Sequence, residues 1–263
     1  MPAPVMPEGG DYVSRINSIL SILGTTKTHF WPFIEDEGVT VNGFTPAADL
    51  IPSETSGNAE ALEDDFSPIR HEGGVCSYNF QPTGDHHLAG ADHANYSYGD
   101  GSTDDAVSFG AFIWPKAIAS NVIIAKYDSA GNAEEYRFWI DASGLLDLEL
   151  HDASASATEI AVSDAALTLH RGVFVVAAYD GAQATPDIDL YVDAVAVNDG
   201  SSTEANTYTA MESGAAPLTI GCGGVTATPT TEFNGRIAMP FIAGKQLSAN
   251  EVRDLFVIYR SML

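Results

Sequence analysis

The sequence predicts an all-β fold, an antiparallel sandwich or barrel with one short helix at each end. Three observations predict it. First, strand candidates recur at short intervals at 77–80, 106–115, 121–127, 135–141, 145–151, 158–162, 173–179, 188–197, 217–222 and 233–243, and Gly, Asp, Asn or Ser separates most of them. Many short strands with turn residues between them form sandwiches or barrels. Second, Leu146-Asp147-Leu148-Glu149-Leu150 alternates leucine with carboxylate. A strand puts those leucines on one face and the acids on the other, so one face of that sheet is wet, as antiparallel sheets permit. Third, helical periodicity is confined to the two ends of the chain.

The elements follow in order. Residues 1–10 are a Pro/Gly-rich lead, and 11–24 read as a helix with Asp11 as N-cap and Gly24 just past the C-terminus. Its apolar stripe is Tyr12, Val13, Ile16, Ile19, Leu20 and Leu23. That stripe packs either on the domain's own sandwich or into a partner subunit. His29-Phe30-Trp31-Pro32-Phe33 is an aromatic strand candidate, and 45–73, rich in Pro, Ser, Glu and Asp, reads as a long loop. Residues 1–75 are thus expected to form an N-terminal extension that could serve for docking, and 76–263 a β domain with a closing helix. Within that domain 173–179 is apolar on both faces and should be a central strand, while Ala142-Ser143-Gly144 should turn a hairpin. The closing helix spans 247–260. Ser248 and Glu251 form a capping box, Leu247 and Val252 a hydrophobic staple, and Arg260 complements the helix dipole.

Composition excludes several functions. Eleven Lys and Arg stand against 36 Asp and Glu, a net charge of −25. Such a chain cannot supply the clustered cations that displace counterions from nucleic-acid phosphates, and an anionic membrane surface repels it. No apolar stretch is long enough for a transmembrane helix. The N-terminal residues lack the basic and apolar regions of a signal peptide. Cys76 and Cys222 are the only cysteines; two thiols so far apart form no disulfide framework, and they read as free.

Chemistry-bearing residues are sparse. No nucleophile elbow, P-loop or dinucleotide fingerprint is present. Asp85, Asp92, Asp100, Asp104 and Asp105 crowd one segment with His86, His87 and His93. Calcium, which takes six to eight loop oxygens, is the cofactor this segment could hold; the histidines suit a transition metal better. Solvated loop carboxylates are the plainer reading. Tyr96, Tyr98 and Tyr136 are candidates for stacking on sugar rings, whereas Trp139 reads as core because it alternates with Tyr136 and Arg137.

The order of motifs resembles the laminin-G-like branch of the concanavalin-A-like lectin/glucanase superfamily. Tyr78-Asn79-Phe80 with Gly84-Asp85-His86-His87-Leu88 looks like its opening strand pair, and Val107 to Pro115 like its F-S-x-x-x-W-x-x-P strand. Val175-Val176-Ala177-Ala178-Tyr179-Asp180-Gly181 with Leu190-Tyr191-Val192-Asp193 resembles its central hairpin. Two departures stand out. Gly172 lies near the place of a usual Trp, and Asp193-Ala194 replaces the usual Asn-Gly turn. The resemblance implies a jelly-roll sandwich that is a binding or structural module more often than an enzyme. Glucanases of the superfamily carry E-x-D-x-x-E on one strand. The nearest candidate here, Asp187-Ile188-Asp189, lacks the third acid and an aromatic cleft. A weaker likeness to structural proteins of tailed-phage virions leads to the expected function: a non-enzymatic decoration or adhesion subunit on the surface of a virion or similar extracellular assembly. Its partners would be other subunits, copies of itself, or surface glycans. The alternative is a carbohydrate-binding lectin module, calcium-dependent if the acidic loop is a site.

Overall fold

Segments that alternate apolar and polar residues pair edge to edge to satisfy their backbone groups and bury one face. The computed structural model describes residues 10–33, 51–53, 69–71, 75–82, 85–118, 120–129, 131, 133–183, 187–198, 202–204, 206–224 and 230–263. In chain order its elements are α1 (Gly10–Leu23), β1 (His29–Phe30), β2 (Ile51–Ser53), β3 (Ile69–Arg70), β4 (Cys76–Phe80), β5 (His87–Gly90), β6 (Val107–Pro115), β7 (Asn121–Lys126) and β8 (Tyr136–Ile140). These are followed by β9 (Leu146–Asp152), β10 (Ala157–Val162), β11 (Val173–Tyr179), β12 (Ile188–Val192), β13 (Val195–Ala196), β14 (Ser202–Glu204), β15 (Leu218–Ile220), β16 (Gly235–Ala243) and α2 (Ala249–Met262).

Among the described residues these strands make two eight-stranded antiparallel sheets. The first runs β13-β12-β11-β6-β16-β4-β3, with β1 also paired to β16, and the second runs β14-β10-β9-β8-β7-β15-β5-β2. The main core lies between them. Phe109, Ala111 and Ile113 of β6 face Phe138 of β8 and Leu146, Leu148 and Leu150 of β9 across the interface. The alternating leucines are therefore the inner face of the second sheet. The predicted all-β sandwich with two short helices is the observed fold.

The first sheet is buried on both faces. Phe112, Phe174, Val176 and Phe241 project from its outer side into a second core, closed by Ile16, Ile19 and Leu23 of α1 and Val252, Leu255 and Tyr259 of α2. This explains why β11 is apolar throughout. The Phe241 ring lies across its strand partner Gly110, where an added Cβ would come within 2.4 Å of it. α2 begins as expected: Ser248 Oγ accepts from the Glu251 amide, and Glu251 Oε2 accepts from the Ser248 amide at 2.9 Å. Gly24, with φ +85°, follows α1 in the left-handed conformation that ends helices.

Differences from expectation have local causes. The strand expected at 188–197 is broken into β12 and β13 by Asp193 and Ala194, both at positive φ (50° and 63°). Two left-handed residues match the twist of a two-residue hairpin. Asp193 fixes the turn, donating its amide to Phe174 O and accepting the Phe174 amide on Oδ1. Most of the loop expected at 45–73 lies outside the described residues; within it, β2 and β3 are strands. The aromatic segment at 29–33 contributes only a two-residue strand, but Phe30, Trp31 and Phe33 are all fully buried.

Candidate functional site

The outer face of the second sheet carries the least ordinary chemistry in the molecule. Register sets it up. Tyr136, Phe138 and Ile140 point inward with the leucines of β9, so Arg137 and Trp139 point outward. Arg137 stands opposite Glu149 and Trp139 opposite Asp147. Arg137 Nε and Nη2 both donate to Glu149 Oε2, at 3.0 and 2.5 Å. The guanidinium lies over two rings, 3.8 Å from the centre of Trp139 and 4.8 Å from that of Tyr127. His151, next on that face, packs edge-on to Tyr127 with centroids 5.1 Å apart and brings Nε2 to 3.3 Å from Glu149 Oε2. Half-buried Ile160 and exposed Val162 of β10 continue the face.

Two acids on one strand face are driven in opposite directions. Burial, reinforced by the negative charge of Glu149, pushes the Asp147 carboxyl up to about 8. Burial also pushes Glu149 upward, but His151 and Arg137 together outweigh it and hold Glu149 below its ordinary value. Asp147 has no cation of its own. Among the described residues its Oδ1 and Trp139 Nε1 are buried without a well-aligned hydrogen bond, although the indole lies close enough to hold the carboxyl back, whereas His151 Nε2 has Glu149 Oε2 beside it. Buried polar atoms left unpaired are uncommon and each weakens the fold. Two such atoms on one sheet face, one acceptor and one donor, sit beside the charged pair of Arg137 and Glu149.

A profile of a laminin G family, described as the concanavalin A-like lectin/glucanases superfamily, matches residues 76–253. The chain belongs to this superfamily. No curated protein matches the sequence. Several solved structures share the superfamily fold at low identity. A mutant Trypanosoma rangeli sialidase displaying trans-sialidase activity matches with a TM-score of 0.56 and 11% identity, over 96% of this chain and 38% of the sialidase. Botulinum neurotoxin type C, whose cell entry depends on two ganglioside molecules, matches with 0.56 and 12%, over 90% of this chain and 52% of the toxin chain. The binding domain of Paraclostridial Mosquitocidal Protein 1 matches with 0.55 and 10%, over 90% and 53%. The chain therefore spans well under two thirds of each of these proteins.

On this superfamily scaffold the residues singled out from the sequence fall elsewhere. Tyr96, Tyr98 and Tyr136 are at most 1% exposed and belong to the main core. Tyr136 donates its hydroxyl to Tyr96 O and Tyr98 donates to Lys27 O. A ring enclosed on all sides cannot stack on a sugar, so the expected platform is corrected. The right strand was found but the wrong face, since Trp139 is outward and Tyr136 inward. Of the two readings of the α1 stripe, packing on the chain's own sandwich is the one observed, in place of docking on a partner. Ile16, Ile19 and Leu23 are buried in the chain's own second core, Tyr12 and Leu20 pack against it, and only Val13 is exposed.

The acidic loop does not converge on a cation site. Asp100 Oδ1 caps its own turn by accepting from Ser102 and Thr103, which holds its carboxyl well below the usual range. Asp104 accepts from Tyr179 and Tyr208 on Oδ2 and from the Met211 amide on Oδ1. Asp105 pairs with Lys27 at 2.7 Å. Asp92 lies 3.0 Å from Lys126, whose ammonium also donates to Glu135 at 2.5 Å. Asp85 sits in a left-handed turn and offers its carbonyl to His87 Nδ1. Among the described residues no three His, Cys, Asp or Glu side chains are placed to hold a metal ion. Cys76 and Cys222 are buried free thiols, and no described helix is long and apolar enough to cross a membrane.

Proposed function

We propose that the chain is a non-enzymatic carbohydrate-binding module whose ligand rests on the outer face of the second sheet, over Trp139, Asp147 and His151. The observation that carries this reading is an arginine lying over two aromatic rings on a sheet face that also gathers Asp147, Glu149 and His151. A sugar hydroxyl both donates and accepts. Such hydroxyls could pair with the polar groups along this face, which include His151 and the Arg137–Glu149 pair. The ganglioside dependence of the neurotoxin, which shares the fold, supports the same class of ligand. We place this module on the surface of a virion or similar extracellular assembly.

The test is a glycan array probed with the full chain and with Trp139→Ala, Asp147→Asn and His151→Ala. The parent protein should retain a defined set of glycans, and each variant should lose about tenfold or more in affinity, the equivalent of ~1.4 kcal/mol, while still folding. Chelation should leave binding unchanged, because the loop carboxylates already have protein partners. An array that stays blank for the parent, or variants that bind as the parent does, refutes the reading.

One observation favours a second reading. Asp147 and Glu149 lie two residues apart on β9, with carboxyls displaced up and down respectively, as an acid and a nucleophile require in glycoside hydrolysis. Reducing ends released from a glucan, and abolished in Glu149→Gln, would establish it. Against it, both hydrogen bonds from Arg137 already occupy Glu149 Oε2.

A further inference from the structure

The opposite side of the molecule holds a pocket of different character. It lies on the outer face of the first sheet, where β6 and the start of β11 meet the last turns of α2. Its volume is about 390 Å³, within the ~300–1,000 Å³ range of small-molecule sites. Phe112, Trp114 and Phe256 give it aromatic walls, and Arg171 and Arg260 stand at its edge. Gly172 keeps it open, because a Cβ there would come within 2.4 Å of Trp114 Nε1.

Charge makes the pocket unusual. In a chain of net charge −25 with seven arginines, two line this pocket, and a third, Arg236, lies 4.6 Å over the Trp114 ring. Arg260 lies over Phe256, 5.6 Å from its centre. Arg171 is pre-aimed: its Nη2 donates to Asp193 Oδ2 at 2.6 Å, and Asp193 is held by the Phe174 amide in the β12–β13 turn. That contact uses one of five guanidinium donors and leaves the rest of the fork for a second carboxylate. The ring walls would take the ligand's apolar body.

We propose that this pocket is a second binding site, for a small organic carboxylate carried on a six-membered ring. It is separate from the tryptophan-bearing face of the other sheet and does not depend on that face binding sugar. The carboxylate would engage Arg171 and Arg260, and the ring would lie against Phe112 and Phe256.

Titration by NMR or calorimetry of the full chain with sodium glucuronate, sodium benzoate and glucose tests it. At least one carboxylate should bind saturably, with an affinity that falls about tenfold or more in an Arg171→Ala/Arg260→Ala variant and is unchanged in Trp139→Ala. Glucuronate alone would identify a uronic-acid-like ligand, benzoate alone an aromatic acid. Arg171→Ala and Arg260→Ala taken singly, with melting curves, guard against a folding defect. The proposal is overturned if neither carboxylate binds, if glucose competes equally with glucuronate, or if the double variant keeps the parent's affinity.

Discussion

Asp147 shows how far one side chain can govern the whole chain's response to pH. Its carboxyl is pushed to about 8 in the folded state, far above an unfolded aspartate. Folding therefore favours the protonated form. The resulting stabilisation is complete below the unfolded value and is lost as pH rises through the folded one. Glu135, pushed up to about 7 by burial against the pull of Lys126, adds in the same direction. Each unit of displacement corresponds to about 1.4 kcal/mol, so the melting temperature should fall as pH is raised from ~4 to ~8, between the unfolded and folded values. In Asp147→Asn that slope should flatten. A slope unchanged by the substitution would show that Asp147 is not the group responsible. The same residue illustrates what could be read in advance. Its alternation with leucine located it on the outer face, but the solvation inferred from that position was wrong. The sequence does not say that Arg137 will lie over the Trp139 ring or that Asp147 will be buried opposite that ring.

At the scale of elements, local rules sufficed where a short segment carries its own signal. The capping box of α2, the glycine after α1, the hairpin at 142–144 and the two-sided apolar strand at 173–179 all rest on interactions within a few residues, and all appear. Signals failed where a partner decides. β2, β3 and β14 exist by pairing with β5, β4 and β10, and their own residues show little alternation. α1 is the sharper case, because an amphipathic stripe reveals that a helix is covered but not by what. Its cover is α2 and the first sheet. Removing residues 10–33 should accordingly do more than detach an arm. It would expose Phe174, Phe241 and Tyr259 and withdraw buried Phe30, Trp31 and Phe33, a loss far beyond the 2–5 kcal/mol of a single large-to-small core change. The truncated chain should lose its cooperative thermal transition. A shortened protein that melts like the parent would restore the extension to the status of a separable segment.

For the whole molecule, two sheets of equal strand number have been given opposite tasks. One has its outer side largely covered by the two helices and serves as the structural wall. Among the described residues the other has no helix on its outer side, and it gathers there an arginine, two acids, a histidine and two aromatic rings. The excess of negative charge is compatible with both, since it acts mainly on solubility and on which partners approach. It also makes the arginine-edged pocket an exception to the overall electrostatics.

The pairing of α1 with α2 has a practical consequence. Arg15, one turn into α1, donates to Ser261 O near the end of α2, so the two helix ends lie side by side beneath the structural wall. A tether through either end, whether a fused neighbour, a particle or a sensor chip, would hold the molecule from behind. The tryptophan-bearing surface would then be displayed outward in a single orientation.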